Sequence, residues 1–267
     1  MSRKRHACAE WCFSMPFTDP ASPLPAASIA GWIDIHSHLL PGIDDGCQDL
    51  EESLASITQL QQAGFVGSIC TPHVFPQMFP QNTAEHIRGW TAQLAGQLRQ
   101  RGIAYPLWPG GELRLFDGVI DWLKANEVPT LAGSRYVLTD FWEPVWPKWV
   151  DKALDWLLSQ GYQPILAHPE RLAMAQLPQH LEALTQRGVL LQGNVRCMTG
   201  EDGYLADQWV RRFLAEKRYA FLALDAHRPD TLASRLDGLA MVTQEFGPDT
   251  TRKLLHDAPR QIVSPDA

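Results

Sequence analysis

Six times along this chain a short apolar run ends in a histidine or a carboxylate, and that recurrence limits what the chain can become. The runs lead to His36 and His38 in Trp-Ile-Asp-Ile-His-Ser-His, to His73 in Ser-Ile-Cys-Thr-Pro-His, and to Glu112 in Pro-Leu-Trp-Pro-Gly-Gly-Glu. They lead again to Asp140 in Tyr-Val-Leu-Thr-Asp, to His168 in Pro-Ile-Leu-Ala-His, and to Asp225 and His227 in Phe-Leu-Ala-Leu-Asp-Ala-His. Short apolar runs bounded by turn residues read as buried strands. The fold must therefore gather the C-terminal ends of nearly all its strands around one place.

Between the runs lie helical patterns. Asp49 and Glu52 carry the acceptor and the glutamate of a capping box ahead of Leu54, Ile57 and Leu60, and Gly64 stops that helix. Thr83 can cap a helix with Ile87, Trp90, Leu94 and Leu98 on one stripe. Strands are expected over 65–70, 103–108, 135–141, 163–167, 189–193 and 219–224, after a first one that carries His36. Helices are expected over 117–126, from Pro147 to Gln160, around Leu181 and Leu184, and over 209–217, 231–246 and 250–257. Seven alternating units with short connections predict an α/β parallel sheet, and ligands on nearly every strand favour closure into a barrel. An open doubly wound sheet would gather its site at one crevice instead.

The first motif shows what these residues can do. Side chains two apart on a strand share a face, so His36 and His38 can aim at one ion while Ile33 and Ile35 point the other way. Pro41-Gly42 then allows a turn that brings Asp44 or Asp45 back over the same pocket. Five of the nine histidines fall in the six motifs, and with four carboxylates they exceed what one ion accommodates, so two or three divalent metals are implied. Paired divalent ions are the usual device for in-line attack on a phosphate, and Glu112 and Asp45 are natural bridging candidates. Three such ions would bring six positive charges against the four negative ones of Asp45, Glu112, Asp140 and Asp225, which leaves a site attractive to a phosphate monoester.

Composition narrows the alternatives. A formal charge of −7 with no basic stripe argues against a nucleic-acid surface. The five cysteines, at 8, 12, 47, 70 and 197, form no disulfide framework and point to a reduced, cytoplasmic protein. None has an arginine six residues later, which removes the thiolate loop of cysteine-dependent phosphatases. Residues 1–30 lack a continuous apolar core and are rich in Pro, Ser and Ala; they read as a disordered N-terminal extension, neither signal peptide nor membrane span. Residues 31–267 read as a single catalytic domain.

His36-Ser-His38, Pro41-Gly-Ile-Asp-Asp-Gly46, Thr71-Pro-His73, Gly110-Gly-Glu112, Ala167-His-Pro-Glu-Arg171 and Asp225-Ala-His227 together resemble the PHP (polymerase and histidinol phosphatase) family. The nearer likeness is to its bacterial capsule-associated protein-tyrosine phosphatase branch, from about residue 32 to Val263. The resemblance implies a distorted seven-stranded (β/α) barrel of PHP type with a trinuclear, usually manganese, site. It implies hydrolysis of phosphotyrosine on the tail of a membrane-associated tyrosine autokinase that controls capsule or exopolysaccharide assembly. It further implies no nucleic acid, a chain not embedded in the membrane, and room for a homo-oligomer.

Carried over by position, His36, His38, Glu112 and Asp225 would hold one ion, and Glu112 would bridge to a second held by Asp140 and His168. Asp45, His73 and His227 would hold the third, and Arg171 would grip phosphate oxygens as catalytic and substrate-binding residue. Three positions depart from the branch pattern: Asp140 stands where Glu is usual, shorter by about 1.5 Å, Leu224 replaces a small polar residue, and Arg228 and Arg235 follow His227 at unusual spacing. Trp142, Trp146 and Trp149 cluster just after Asp140, either as helix packing or as an aromatic wall for a tyrosyl ring. Two other functions fit the same residues: a small-molecule phosphatase, as for histidinol phosphate, and a weakly active regulatory module that binds the kinase tail.

Overall fold

A computed structural model describes residues 31–264 apart from 173 and 175. The expectation for residues 1–30 lies outside the described residues. Nine short strands run in chain order: β1 (Trp32–Ser37), β2 (Phe65–Cys70), β3 (His73–Val74), β4 (Leu107–Pro109), β5 (Glu112–Arg114), β6 (Tyr136–Asp140), β7 (Gln163–Ala167), β8 (Leu190–Asn194) and β9 (Phe221–Ala223). They form a three-stranded sheet, β1-β2-β4, and a six-stranded sheet, β3-β5-β6-β7-β8-β9, with every pair parallel.

Where seven strands are expected, nine appear because two paths are interrupted. β2 hands over to β3 across Thr71-Pro72, where proline has no N–H to give the ladder, although the Pro72 carbonyl still accepts from Glu112 N at 3.0 Å. β4 hands over to β5 across Gly110-Gly111, which are jammed against neighbours. A Cβ on Gly110 would lie 2.9 Å from Ile69 and Leu131, and one on Gly111 2.8 Å from Val74 and Pro129. The strand expected over 103–108 begins only at Leu107; Pro106 cannot donate, and its carbonyl accepts from Ser68 N at 3.1 Å.

Alternation along the strands sorts side chains into two cores. Leu138, Ile165, Ala167, Phe221 and Ala223 join Ile35 and Ile69 on one face, while Val137, Leu166, Leu191 and Leu222 join the larger cluster under the helices. The helices are α1 (Leu50–Gln62), α2 (Ala84–Gln100), α3 (Val119–Ala125), α4 (Lys148–Ser159), α5 (Leu177–Gln186), α6 (Tyr204–Ala215), α7 (Leu232–Phe246), α8 (Pro248–Arg252) and α9 (Ala258–Val263). Asp49 caps α1 by accepting from Glu52 N at 2.9 Å, and Glu52 reaches back to Gln48 N, one residue before the cap. Thr83 caps α2 through His86 N. Each such cap is worth about 1 kcal/mol.

The expected helix over 250–257 is instead α8 followed by a π turn, Lys253–Asp257, that feeds α9. α9 sends the fully buried Ile262 into the smaller core, beside Ile35 and Phe221. After β9 the chain returns beside β1. Ser37 and Ala226 form a parallel bridge, His38 N donates to the Ala226 carbonyl at 2.7 Å, and Leu224 N donates to Asp34 Oδ1 at 3.0 Å. Among the described residues no helix is long and apolar enough to cross a membrane.

Candidate metal centre

β1 delivers His36 and His38 with both rings buried and both Nε2 atoms inward, 3.3 Å apart. The same point is approached by Glu112 Oε2, 3.3 Å from His36 Nε2, and by Asp225 Oδ1, 3.3 Å from His36 Nε2 and 3.4 Å from His38 Nε2. The outward nitrogens are tied down: His36 Nδ1 to Gln192 Oε1 at 2.9 Å, His38 Nδ1 to Asp44 Oδ2 at 2.7 Å. A partner on Nδ1 fixes the ring and leaves Nε2 as the donor atom, the usual arrangement behind a ligating histidine. The assignment of these protons follows from the hydrogen bonds.

Glu112, at the start of β5, is the hub. Its two oxygens reach His36, His38 at 3.6 Å, His73 Nδ1 at 2.9 Å and His168 Nε2 at 3.0 Å. Asp45 Oδ1 lies 3.3 Å from His73 Nε2 and 3.5 Å from His227 Nε2, and its side chain is 61% exposed, at the lip of the site. His168 and Asp225 leave their strands in the left-handed region, with φ of 33° and 54°. Neither is glycine, so each conformation costs about 1–3 kcal/mol, and His168 also precedes Pro169, which disfavours it further. Strain of this kind is kept where the turn aims a working side chain inward.

All nine expected ligands therefore converge, and their donor atoms fall into four overlapping groups: His38 with Asp45, His73 and His227; His36 with His168 and Asp225; His36 with His38 and Glu112; and His73 with Glu112 and Asp140. Asp140 groups by distance with His73 and Glu112, and His168, which the family resemblance pairs with it, lies 3.0 Å from the same Glu112. Asp140 Oδ2 accepts the Trp142 indole N–H and only Oδ1 remains. Among the described residues Asp140 Oδ1 is buried with no hydrogen-bond partner, and His73 Nδ1 and Glu112 Oε2 face each other at 2.9 Å without good hydrogen-bond geometry. Imidazole and carboxylate donors aimed together are what a divalent cation needs, so the residues fit the expected metals.

Charge is distributed unevenly. Burial opposes protonation of His38, but Asp44 outweighs it and raises the ring to about 10. Burial likewise opposes it at His73, where Glu112 and Asp45 raise the ring to about 12. His168 goes the other way, lowered chiefly by burial with Arg171 adding. Glu112 is held well below its usual range against its burial by His36 and His73, and Asp225 by His36 and His227. Asp140 is pushed up to about 7 by burial and by Glu112.

Arg171 stands beside these residues with its side chain 34% exposed, its Nη1 3.0 Å from Asp225 Oδ2 and its Nε 3.4 Å from Asp202 Oδ1. It lines a cavity of about 430 Å³ with Asp45, His73, Glu112, Asp140, Trp142, His168, Asp225 and His227. Trp142 belongs to the site; Trp146 does not, stacking on His180 at 4.4 Å and bonding Asp151.

Sequence reasoning missed several supporting residues. Gln192 backs His36 and sits fully buried in β8, a polar side chain inside an apolar run, which is a readable signal. Asp34, also fully buried, ties β1 to the end of β9 and is pushed up to about 7 by burial. Asn194 braces Asp225 through its side-chain amide at 2.9 Å.

The chain resembles proteins whose chemistry is described. It is 28% identical over 228 residues to the tyrosine-protein phosphatase YwqE of Bacillus subtilis, covering 85% of this chain and 89% of that one. The crystal structures of YwqE from Bacillus subtilis and CpsB from Streptococcus pneumoniae, described as metal-dependent tyrosine phosphatases, include a match with TM-score 0.79 at 26% identity, over 88% of this chain and 95% of that one. The phosphotriesterase homology protein of Escherichia coli matches in fold alone, with TM-score 0.57 at 12% identity over 89% of this chain and all of that one. The family described as capsular polysaccharide synthesis, CpsB/CapC, matches residues 32–264, and the chain belongs to it.

Proposed function

We propose that this chain is a metal-dependent phosphomonoesterase that hydrolyses phosphotyrosine, its substrate the tail of a tyrosine autokinase governing capsule or exopolysaccharide synthesis. The observation that carries the reading is the convergence of buried donor atoms of His73, Glu112 and Asp140, the last with an unpartnered oxygen, at a cavity that Arg171 also lines. In this reading residues 31–267 form one catalytic domain whose two sheets make a single barrel of seven strand paths. The Ser37–Ala226 bridge between the last path and the first supports that.

His36, His38, Asp45, His73, Glu112, Asp140, His168, Asp225 and His227 would hold two or three divalent ions, with manganese as the expected metal. When bound, such ions supply polarisation of phosphoryl oxygens and bring the pKa of water down toward about 7. The protein's own part is orientation. Arg171, steadied by Asp225 and Asp202, offers remaining guanidinium donors to the phosphate oxygens. Gln192 and Asp44 keep the His36 and His38 rings turned inward, and the near-complete burial of Glu112 and Asp225 keeps bulk water off the floor. A tyrosyl oxygen leaves readily because phenol is itself a fair acid, with a pKa near about 10.

The reading includes action in the cytoplasm, which the free, buried Cys47, Cys70 and Cys197 support. The test is phosphate release from a tyrosine-phosphorylated peptide by manganese-loaded protein, with histidinol phosphate and a chelator control alongside. Chelator-sensitive release from the peptide is expected. Release from histidinol phosphate alone would move the function to small-molecule metabolism, and release from neither would overturn the phosphatase reading.

A further inference from the structure

Two residues past the end of β6 the chain places a tryptophan that does more than line the site. The Trp142 side chain has a single hydrogen-bond donor, its indole N–H, and gives it to Asp140 Oδ2. One face of the ring is taken by the Arg114 guanidinium, 4.0 Å from the ring centroid, while Arg114 lies 4.2 Å from the Phe75 ring and reaches Glu143 at 3.2 Å. Its edges meet His73 at 5.6 Å and Phe75 at 5.8 Å, both near perpendicular. Held on these sides, the residue is still 42% exposed and forms part of the cavity wall.

Each contact has a consequence for Asp140. A carboxylate has two oxygens and turns easily about its last bond. With Oδ2 bound to a ring that Arg114, Phe75 and His73 contact, Oδ1 is left buried and without a hydrogen-bond partner, beside Glu112 and His73. The short aspartate cannot reach further into the site, so its direction matters more than its length.

We propose that Trp142 is both the positioning residue for Asp140 and the surface that receives the aryl group of the substrate, so that one ring ties ester recognition to the floor of the site. The second half rests on the phosphotyrosine reading; the first does not. An aryl ring packed on the exposed part of Trp142 gains an aromatic contact that an alkyl phosphate lacks. It also closes the ring against Arg114 and confines the N–H on Asp140.

The experiment uses the full chain and two variants, Trp142→Phe, which keeps a ring and removes the N–H, and Trp142→Ala, which removes both. Manganese(II) chloride is titrated into metal-free protein by calorimetry, and phenyl phosphate is compared with phosphoserine in steady-state kinetics. Loss of a partner behind a ligand commonly weakens metal binding about 10- to 100-fold. Both variants should therefore lose about tenfold or more in the affinity of the weakest-held manganese. Trp142→Phe should lower kcat while keeping KM for phenyl phosphate, whereas Trp142→Ala should also lose about 2- to 10-fold of its preference for the aryl ester. A wild-type isotherm in Trp142→Phe would overturn the positioning role, and unchanged aryl preference in Trp142→Ala would overturn the receiving surface. If wild-type protein hydrolyses neither ester, the phosphatase reading and the aryl surface fall together, and the manganese isotherms still decide the positioning role. Should Trp142→Ala melt early, Trp142→Phe alone decides that role.

Discussion

Asp44 is the residue whose replacement asks most of the site at least cost in volume. Its carboxylate is buried, and it accepts three hydrogen bonds: from His38 Nδ1 at 2.7 Å and His73 N at 3.1 Å on Oδ2, and from Gly46 N at 3.0 Å on Oδ1. Asp44→Asn keeps the shape and changes one acceptor into a donor. If the amide oxygen stays toward His38 and His73, the amide NH2 faces Gly46 N–H; turned over, it faces two donors instead. Either way at least one buried bond is lost, at about 1–3 kcal/mol. The imidazole also loses the anion that makes it a strong donor, and such losses commonly weaken metal binding about 10- to 100-fold, or about 1.4–2.8 kcal/mol. The assay is calorimetric titration of metal-free protein with manganese, with thermal unfolding as the control for stability. A wild-type isotherm in a folded Asp44→Asn variant would refute the claim that Asp44 tunes His38.

Three further outcomes follow from the same geometry. His38 at about 10 and His73 at about 12 stay protonated in metal-free protein through neutral pH, so metal must displace protons from them. Apparent manganese affinity should rise with pH, about tenfold per unit for each proton displaced, and the binding heat should change with the ionisation enthalpy of the buffer; a buffer-independent heat would contradict it. Gly46→Ala would set a Cβ 2.2 Å from the His38 carbonyl oxygen and 2.4 Å from its Cβ. Backbone must move, with an expected loss of about 1–3 kcal/mol in denaturant unfolding, and no loss would mean that the 41–46 turn tolerates displacement. Asp140→Glu should lower activity rather than raise it, because the extra methylene moves the carboxylate off the Trp142 N–H that holds it; a gain in turnover would show that ligand length is the limit.

Eight of the nine candidate ligands were legible because they end apolar runs, and a run that must be buried fixes where its last residue emerges. Period-two alternation likewise separates Ile33 and Ile35 from His36 and His38, and Ile35 does lie in the core. Turn geometry alone left open the choice between adjacent groups of equal chemistry, which the family resemblance gave to Asp45. Asp44 and Asp45 differ only in which way a turn faces: Asp44 goes inward to back His38, and Asp45 stays at the lip to meet His73 and His227. The strand breaks at Pro72 and Gly110-Gly111 were hidden for a related reason, since the residues show a break in pairing but not on which neighbour the ladder resumes. The role of Trp142 needed three dimensions, because Phe75 and Arg114 reach it from two other strand ends.

The two ends of the cluster differ in kind, and that difference gives its parts an order. At one end His36 and His38 share a point with Asp225, and the rings behind that point are fixed by a neutral amide and an anion. An anion behind an imidazole raises its strength as a ligand, so this end should hold metal firmly. At the other end Asp140 has spent one oxygen on Trp142, and burial with Glu112 nearby disfavours its charge. Glu112 joins the two, since its oxygens touch histidines from both ends. Of the groups around the floor, Asp140 is the one whose supporting neighbour is an aromatic ring of the cavity wall. In the proposed reading an aryl substrate packs on this ring, so recognition would act at the end of the cluster where burial and Glu112 disfavour the carboxylate's charge.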